Sequence, residues 1–197
     1  MLAATAGFGL AALGLLTWRS LGMSLGLGAG AVLYGMTLAV SGICSLVYNV
    51  WFHSRPKTFW RLADHIAIFL LIAGTYTPLS IGSADGRIAW MLGPIWTVAA
   101  IGILLKIALG SRYERLFILF YLAMGWMVLT GLGGMIASFE PAVIGLVLAG
   151  GLAFSIGTIF HAMGHRWPWG KPAWHGFVLV GCATHFVAIF AFVLPMG

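Results

Sequence analysis

The sequence predicts an all-α membrane protein, built as a bundle of seven transmembrane helices. Of its 197 residues, 61% are hydrophobic and only 7% are charged, against about 25% charged residues in an average soluble domain. A soluble fold of this size could not cover its surface with so few charges, and a disordered chain would be more polar. The apolar runs are continuous rather than alternating, which argues against a transmembrane β-barrel.

Seven apolar runs are long enough to cross a bilayer, which requires about 20 mostly apolar residues. They lie at about 2–17, 22–51, 65–82, 88–109, 116–137, 141–163 and 173–195. The second run is long enough to tilt or to project beyond the bilayer. Because the loops are short, we expect one seven-helix domain over residues 1–197, without a separate soluble domain.

Local features support the individual runs. The first run lacks a basic start and the second follows almost at once, so the first is interpreted as a helix rather than as a cleaved signal peptide. Glycines are dense where the second run begins and where the fifth ends, and small residues let membrane helices approach closely. The third, sixth and seventh runs begin or end with polar residues that are candidates for function.

The Lys and Arg residues predict the orientation of the bundle. Seven helices alternate the loops between two sides, and eight of the ten basic residues fall on the side that also holds the N-terminus. By the positive-inside rule, the N-terminus is expected in the cytoplasm and the C-terminus outside, as in a bacterial inner (plasma) membrane protein. The net charge of +6 is therefore interpreted as a topology signal rather than as a nucleic-acid interface. The eight residues are Arg55, Lys57, Arg61, Lys106, Arg112, Arg115, Arg166 and Lys171.

Polar residues inside membrane helices are costly, which makes each one a candidate for function. Ser45, Asn49 and His53 are spaced four residues apart, so they share one face at the cytoplasmic end of helix 2. Asp64 and His65 are expected to open helix 3 at the same depth. An acid at a helix start also has a purely structural interpretation, because the helix dipole favours it there.

Helices 6 and 7 bring further polar residues to this layer. His161 and His165 close helix 6, and Lys171 and His175 open helix 7, each pair again four residues apart. His185 lies about 15 Å deeper by helical rise, and a structural, hydrogen-bonded histidine is the plainer interpretation of it. A ring of His, Asp and Ser at one depth resembles a metal site or a proton-handling site.

Three motifs in these helices carry a family resemblance. They are residues 45–49 (Ser-Leu-Val-Tyr-Asn), the long run from Asp64 to Pro78, and residues 173–186 with Ala-Trp-His at their start. Together they resemble the bacterial hemolysin III family, which belongs with the progestin and adipoQ receptors and more distantly with the alkaline ceramidases. The resemblance covers almost the whole chain, and it implies a seven-helix fold with the N-terminus inside.

The resemblance also implies a zinc site near the cytoplasmic face. In family members a Ser-x-x-x-His on helix 2 supplies one ligand, a His-x-x-x-His at the start of helix 7 supplies two, and an Asp on helix 3 holds the zinc-bound water. Such a site resembles a hydrolase centre for lipid amides, because zinc with an open position lowers the pKa of its water to about 7. By this resemblance, Asp64 and Ser45 would be the catalytic residues if the chain is an enzyme.

This sequence departs from the family pattern at two ligand positions. Asn49 stands at the helix 2 His position, and Lys171 stands at the first His position of helix 7. An amide oxygen is a weak zinc ligand, and a protonated Lys repels the metal. Only His175 of the three ligands remains, together with Ser45 and Asp64. We therefore predict that the three-His zinc site is absent and that the two substituted residues line a cavity.

Three functions from different classes stay open. The favoured one is a lipid-binding or receptor-like protein in which Lys171 pairs with Asp64, with membrane lipid as partner and a lipid-like small molecule as candidate ligand. The alternative is a zinc-dependent membrane hydrolase of lipid amides or esters, its metal site rebuilt from His53, His161, His175 and Asp64. The third is a pore-forming cytolysin, although no ring of like charge lines successive turns of any helix. The sequence indicates no protein partner.

Overall fold

The computed structural model describes residues 1–50, 57–110, 112–163 and 167–194, and within these ranges it contains helices and no strand. Seven helical segments are long and apolar enough to cross a membrane, so the predicted fold class is confirmed. We label them α1 (Leu2–Ser20), α2 (Leu25–Val50), α3 (Lys57–Ile81), α4 (Ala89–Leu109), α5 (Glu114–Ser138), α6 (Pro141–Met163) and α7 (Gly170–Val193).

α3 and α7 begin several residues earlier than predicted, and the shift of α3 moves a candidate residue. α3 begins at Lys57 rather than near residue 65, so Asp64 lies about two turns inside the helix and does not open it. The extra turns were missed because Lys57 and Arg61 interrupt the apolar run. α7 begins at Gly170, which places Lys171 in its first turn.

Small residues set the spacing of the first two helices. A Cβ added at Gly9 of α1 would lie 2.9 Å from the Cα of Ala39, and one added at Gly42 of α2 would lie 2.9 Å from the Cα of Ala6. No real side chain tolerates such a distance, so both glycines are required for this close approach. The remaining neighbours in sequence pack in turn, α2 on α3, α3 on α4 and α6 on α7.

α5 is one membrane span but not one regular helix. An α-helix over Glu114–Gly125 is followed by a 3₁₀ segment over Trp126–Gly131 and a short α-helix over Leu132–Ser138. The hydroxyl of Tyr76, on α3, contacts this change of pitch: it donates to the carbonyl of Gly125 at 2.8 Å and accepts from the N–H of Val128 at 2.7 Å.

Candidate functional site

A cavity of about 180 Å³ lies inside the bundle, lined mainly by α3, α5 and α6 with contributions from α4 and α7. Its charged side chains and two of its histidines lie towards the end of the bundle where α3 and α5 begin and where α4 and α6 end. These are Asp64, His65, Lys106, Glu114 and His161. Most of the other lining side chains are apolar, among them Ile72, Leu79, Val128, Val147 and Leu148, although Thr75, Ser155 and His185 also line the cavity. The cavity is therefore amphipathic, with a charged end and a mostly apolar body.

Asp64 is the centre of a small polar group at this end. The hydroxyl of Ser45, on α2, lies close to its carboxyl group. The Tyr121 ring of α5 lies within electrostatic range of the same carboxyl group, and its hydroxyl donates to the backbone carbonyl of His65 at 3.0 Å. The pairing of Asp64 with Ser45 across two helices brings together the two residues that the resemblance names as catalytic.

Lys106 is a member of this site that the sequence reasoning placed among the cytoplasmic loop residues. Its side chain is only 2% exposed and lies in the last turn of α4, with the ammonium 4.4 Å from the centre of the Phe117 ring. Within the described ranges its Nζ has no hydrogen-bond partner. The available signal was that Lys106 is the one charged residue in the run 88–109.

The acidic residue of α5 at this end is already paired. Glu114, at the start of α5, forms an ion pair with Arg61 of α3. Within the described part of the chain the other ion pair joins Arg87 to Asp85. The pair between Lys171 and Asp64 that the sequence suggested is not formed, because Lys171 is exposed in the first turn of α7 while Asp64 faces Ser45.

The histidines of α6 and α7 lie near one another. His161 lines the cavity, and its ring packs against that of Trp174 with 5.2 Å between the ring centres. His175 lies within electrostatic range of His161, of Lys171 and of the N-terminal amine of Met1. The positive charge of Lys171 opposes the binding of a metal cation at His175.

The residues at the family's zinc positions lie apart from the cavity. The amide of Asn49 donates to the carbonyl of Ser45, one turn back on its own helix, at 2.8 Å. Neither Asn49, Lys171 nor His175 is among the residues that line the cavity. In the ranges that the structure describes, no group of three His, Cys, Asp or Glu residues is placed to hold a metal. The candidate ligand His53 lies outside the described residues.

His185 lies deeper in the cavity and has a structural role. Its Nε2 is 3.1 Å from the carbonyl oxygen of Val147 on α6, and its ring packs against Phe154 with 5.6 Å between the ring centres. Gly150 makes room for the ring, since a Cβ added there would lie 2.3 Å from Nε2. This hydrogen bond across α6 and α7 agrees with the structural interpretation of His185.

Known proteins similar to this chain cover most of its length. A family model described as "Haemolysin-III related" matches residues 2–186. Hemolysin-3 of Bacillus cereus is 34% identical over 163 residues, which are 82% of this chain and 74% of that protein. The Hemolysin-3 homolog of Bacillus subtilis (strain 168) is 33% identical over 158 residues, 80% and 74% of the two chains. The monocyte to macrophage differentiation factor of Homo sapiens is 27% identical over 175 residues, 83% and 70%. No solved structure matches the chain.

Proposed function

The chain belongs to the haemolysin III-related family, and from that premise we propose that it is a bacterial inner-membrane protein that binds a lipid-like small molecule between its helices. The observation that carries this proposal is the amphipathic cavity inside the bundle. Concave, mostly apolar sites with a few convergent polar groups are typical of small-molecule binding. An amphiphile would place its polar head among the residues around Asp64 and its chain against the apolar body.

Binding without zinc chemistry is favoured by the two substituted positions. A hydrolase of the family type needs a metal that activates water. At two of the ligand positions this chain has Asn49, whose amide donates to a carbonyl of its own helix, and Lys171, which is exposed. The cavity residues remain suited to hydrogen bonding and charge pairing with a head group. We therefore favour a lipid-binding or receptor-like role over that of a hydrolase.

The second candidate is a hydrolase of lipid amides or esters with a rebuilt metal site. It is supported by the nearness of Ser45 to Asp64 and by the nearness of His161 to His175. Purified protein would be given a fluorescent lipid amide and a fluorescent lipid ester, with and without added zinc. Turnover that Asp64→Asn abolishes would favour this candidate over the binding protein.

The cavity itself is tested by filling it. Gly151 of α6 lines the cavity, and a Cβ there would meet nothing closer than 3.7 Å, so Gly151→Leu should occupy the space without breaking the helix packing. Gly145→Leu is the matched control, because on the same helix its Cβ would meet nothing within 4 Å. Lipid extracted from each purified variant would be quantified by mass spectrometry.

We expect co-purified amphiphile at near one per chain in the wild type and in Gly145→Leu, and its loss in Gly151→Leu. Equal lipid content in all three proteins would contradict binding in the cavity. The same three proteins would also be added to dye-filled vesicles at equal protein density. Dye release that neither substitution changes would instead favour a cytolysin.

A further inference from the structure

Two positively charged side chains lie beside one carboxylate at the charged end of the cavity. Glu114, at the start of α5, forms an ion pair with Arg61 of α3. Lys106 of α4 lies within electrostatic range of Arg61, and in the described ranges its Nζ has no hydrogen-bond partner. Charged residues within membrane spans are usually paired, so the unpaired ammonium of Lys106 requires an explanation.

Glu114 lies within reach of Lys106 without movement of the backbone. Phe117 follows Glu114 by three residues on α5, so the two side chains share one face of the helix, about 4.5 Å apart along its axis. The ammonium of Lys106 is 4.4 Å from the centre of the Phe117 ring, and both Glu114 and Lys106 line the cavity. Changes of the two side-chain rotamers therefore bring the carboxylate and the ammonium together.

The two alternative ion pairs of Glu114 have different surroundings. The side chains of Arg61 and Glu114 are 36% and 41% exposed, and an ion pair exposed to this extent contributes little to stability. Without Glu114, Arg61 keeps part of its hydration, whereas Lys106 is only 2% exposed and keeps almost none. A pair with Lys106 costs hydration of the carboxylate but neutralises a buried ammonium, so neither pair has a large advantage.

The two pairs join different helices across the charged end of the cavity. The pair with Arg61 joins the start of α3 to the start of α5. Glu114 both lines the cavity and is partly exposed, so this pair lies between the cavity and the outside of the bundle. A pair with Lys106 would join α5 to α4 instead, and the seam between α3 and α5 would lose this link.

We propose that Glu114 exchanges between Arg61 and Lys106, and that this exchange closes and opens the charged end of the cavity. With Arg61 as the partner, α3 and α5 are joined and the end is closed. With Lys106 as the partner, the seam between α3 and α5 admits water. The exchange concerns access to the cavity and not what binds in it, so it goes beyond the proposed function.

The test measures how fast a water-soluble, uncharged maleimide reaches a cysteine in the cavity of the purified protein. Thr158→Cys places the thiol in the cavity lining, one turn of α6 before His161. Cys44 and Cys182, both buried, are replaced by alanine. Ser24→Cys, exposed before α2 at the opposite end of the bundle, reports any general change in reactivity.

We expect the two cations to have opposite effects on labelling at Thr158→Cys. Lys106→Met leaves Arg61 as the partner and should slow labelling by about twofold to fivefold, and Arg61→Met leaves Lys106 as the partner and should accelerate it by a similar factor. This is the change in population expected when one weak ion pair is lost. Arg112→Met, which removes an exposed charge just before α5, should label like the wild type.

Opposite effects distinguish an exchange from simpler causes. Loss of a positive charge disfavours the reactive thiolate, so electrostatics alone would slow labelling in both variants. General loosening of the bundle would accelerate labelling in both and also at Ser24→Cys. Equal signs in Arg61→Met and Lys106→Met, or an unchanged rate in Lys106→Met, would therefore overturn the exchange.

Two further variants keep the proposal testable if Arg61→Met does not fold. Arg61→Lys keeps the charge and should label at about the wild-type rate. Arg61→Glu combined with Glu114→Arg keeps an ion pair between α3 and α5 but presents a positive side chain to Lys106. This double variant should label as slowly as Lys106→Met, and faster labelling than in the wild type would contradict the exchange.

Asp64 is the other carboxylate that lines this end of the cavity, and it lies close to Ser45 of α2. Lys106→Met should therefore still slow labelling in an Asp64→Asn background, and it should have no effect in a Glu114→Gln background, where both pairs are lost. The reverse result would identify Asp64 as the partner of Lys106 and overturn the exchange of Glu114.

Discussion

The hydroxyl of Tyr76 holds the break in α5 together, and its removal should destabilise the whole bundle. Tyr76 is buried, and its hydroxyl satisfies the Gly125 carbonyl and the Val128 N–H, 2.8 and 2.7 Å away. In Tyr76→Phe both backbone groups lose the hydroxyl as a hydrogen-bond partner. A measured hydrogen bond in a membrane protein averages about 0.6 kcal/mol, with larger values for single bonds. For two bonds we expect a loss of about 1–2 kcal/mol in the free energy of unfolding.

The loss would be measured by reversible unfolding of the purified protein in mixed micelles of neutral detergent and dodecyl sulfate. Tyr113→Phe is the matched control, because Tyr113 is 48% exposed just before α5 begins. Substitutions at exposed positions usually stay within about 0.5 kcal/mol of the wild type. A Tyr76→Phe protein that unfolds within the same 0.5 kcal/mol would refute the assignment of the hydroxyl to the break.

Hydrogen exchange gives a local readout of the same contact. If Tyr76 is the acceptor for the Val128 N–H, Tyr76→Phe should speed exchange of that amide by about tenfold or more, since the open state gains about 1.4 kcal/mol or more relative to the closed state. Amides in the middle of α1 should be accelerated less than the Val128 amide. Uniform acceleration along the chain would indicate general loosening rather than loss of this bond.

Three further predictions concern packing, zinc and topology. Gly150→Ala should destabilise the protein by about 1–3 kcal/mol, because its Cβ would overlap the His185 ring. Gly145→Ala, with open space around its Cβ, should leave the stability unchanged. Equal losses of stability in the two variants would contradict the contact between Gly150 and His185. Wild-type protein should bind no zinc tightly, while Asn49→His combined with Lys171→His should bind about one per chain; stoichiometric zinc in the wild type would favour the rebuilt site. Cysteines introduced into the loop between α4 and α5 should resist a membrane-impermeant thiol reagent added outside the cell, and efficient labelling there would reverse the predicted orientation.

The seven spans could be predicted because a bilayer imposes both a length and a composition on each helix that crosses it. The predicted run 141–163 coincides with α6, and the run 88–109 agrees with α4 within one residue. The predicted start of α3 was wrong, because a charged residue such as Arg61 is typical of a loop when only the local sequence is considered. The ion pair with Glu114 offsets the cost of placing the charge of Arg61 near the membrane. This contact joins two helices, so the spacing of residues within either helix does not reveal it.

No local sequence pattern indicates the break in α5 or the burial of Lys106. The run 116–137 predicts one regular helix, and the 3₁₀ segment within it depends on a hydroxyl from α3, 52 residues before Val128 in the chain. The family resemblance named Asp64 and Ser45, and the structure places them close together. The count of basic residues assigned Lys106 to a loop, because a charge near a helix end can face water, lipid or a cavity. The neighbouring helices decide between these surroundings, and here the ammonium lies against the ring of Phe117 of α5.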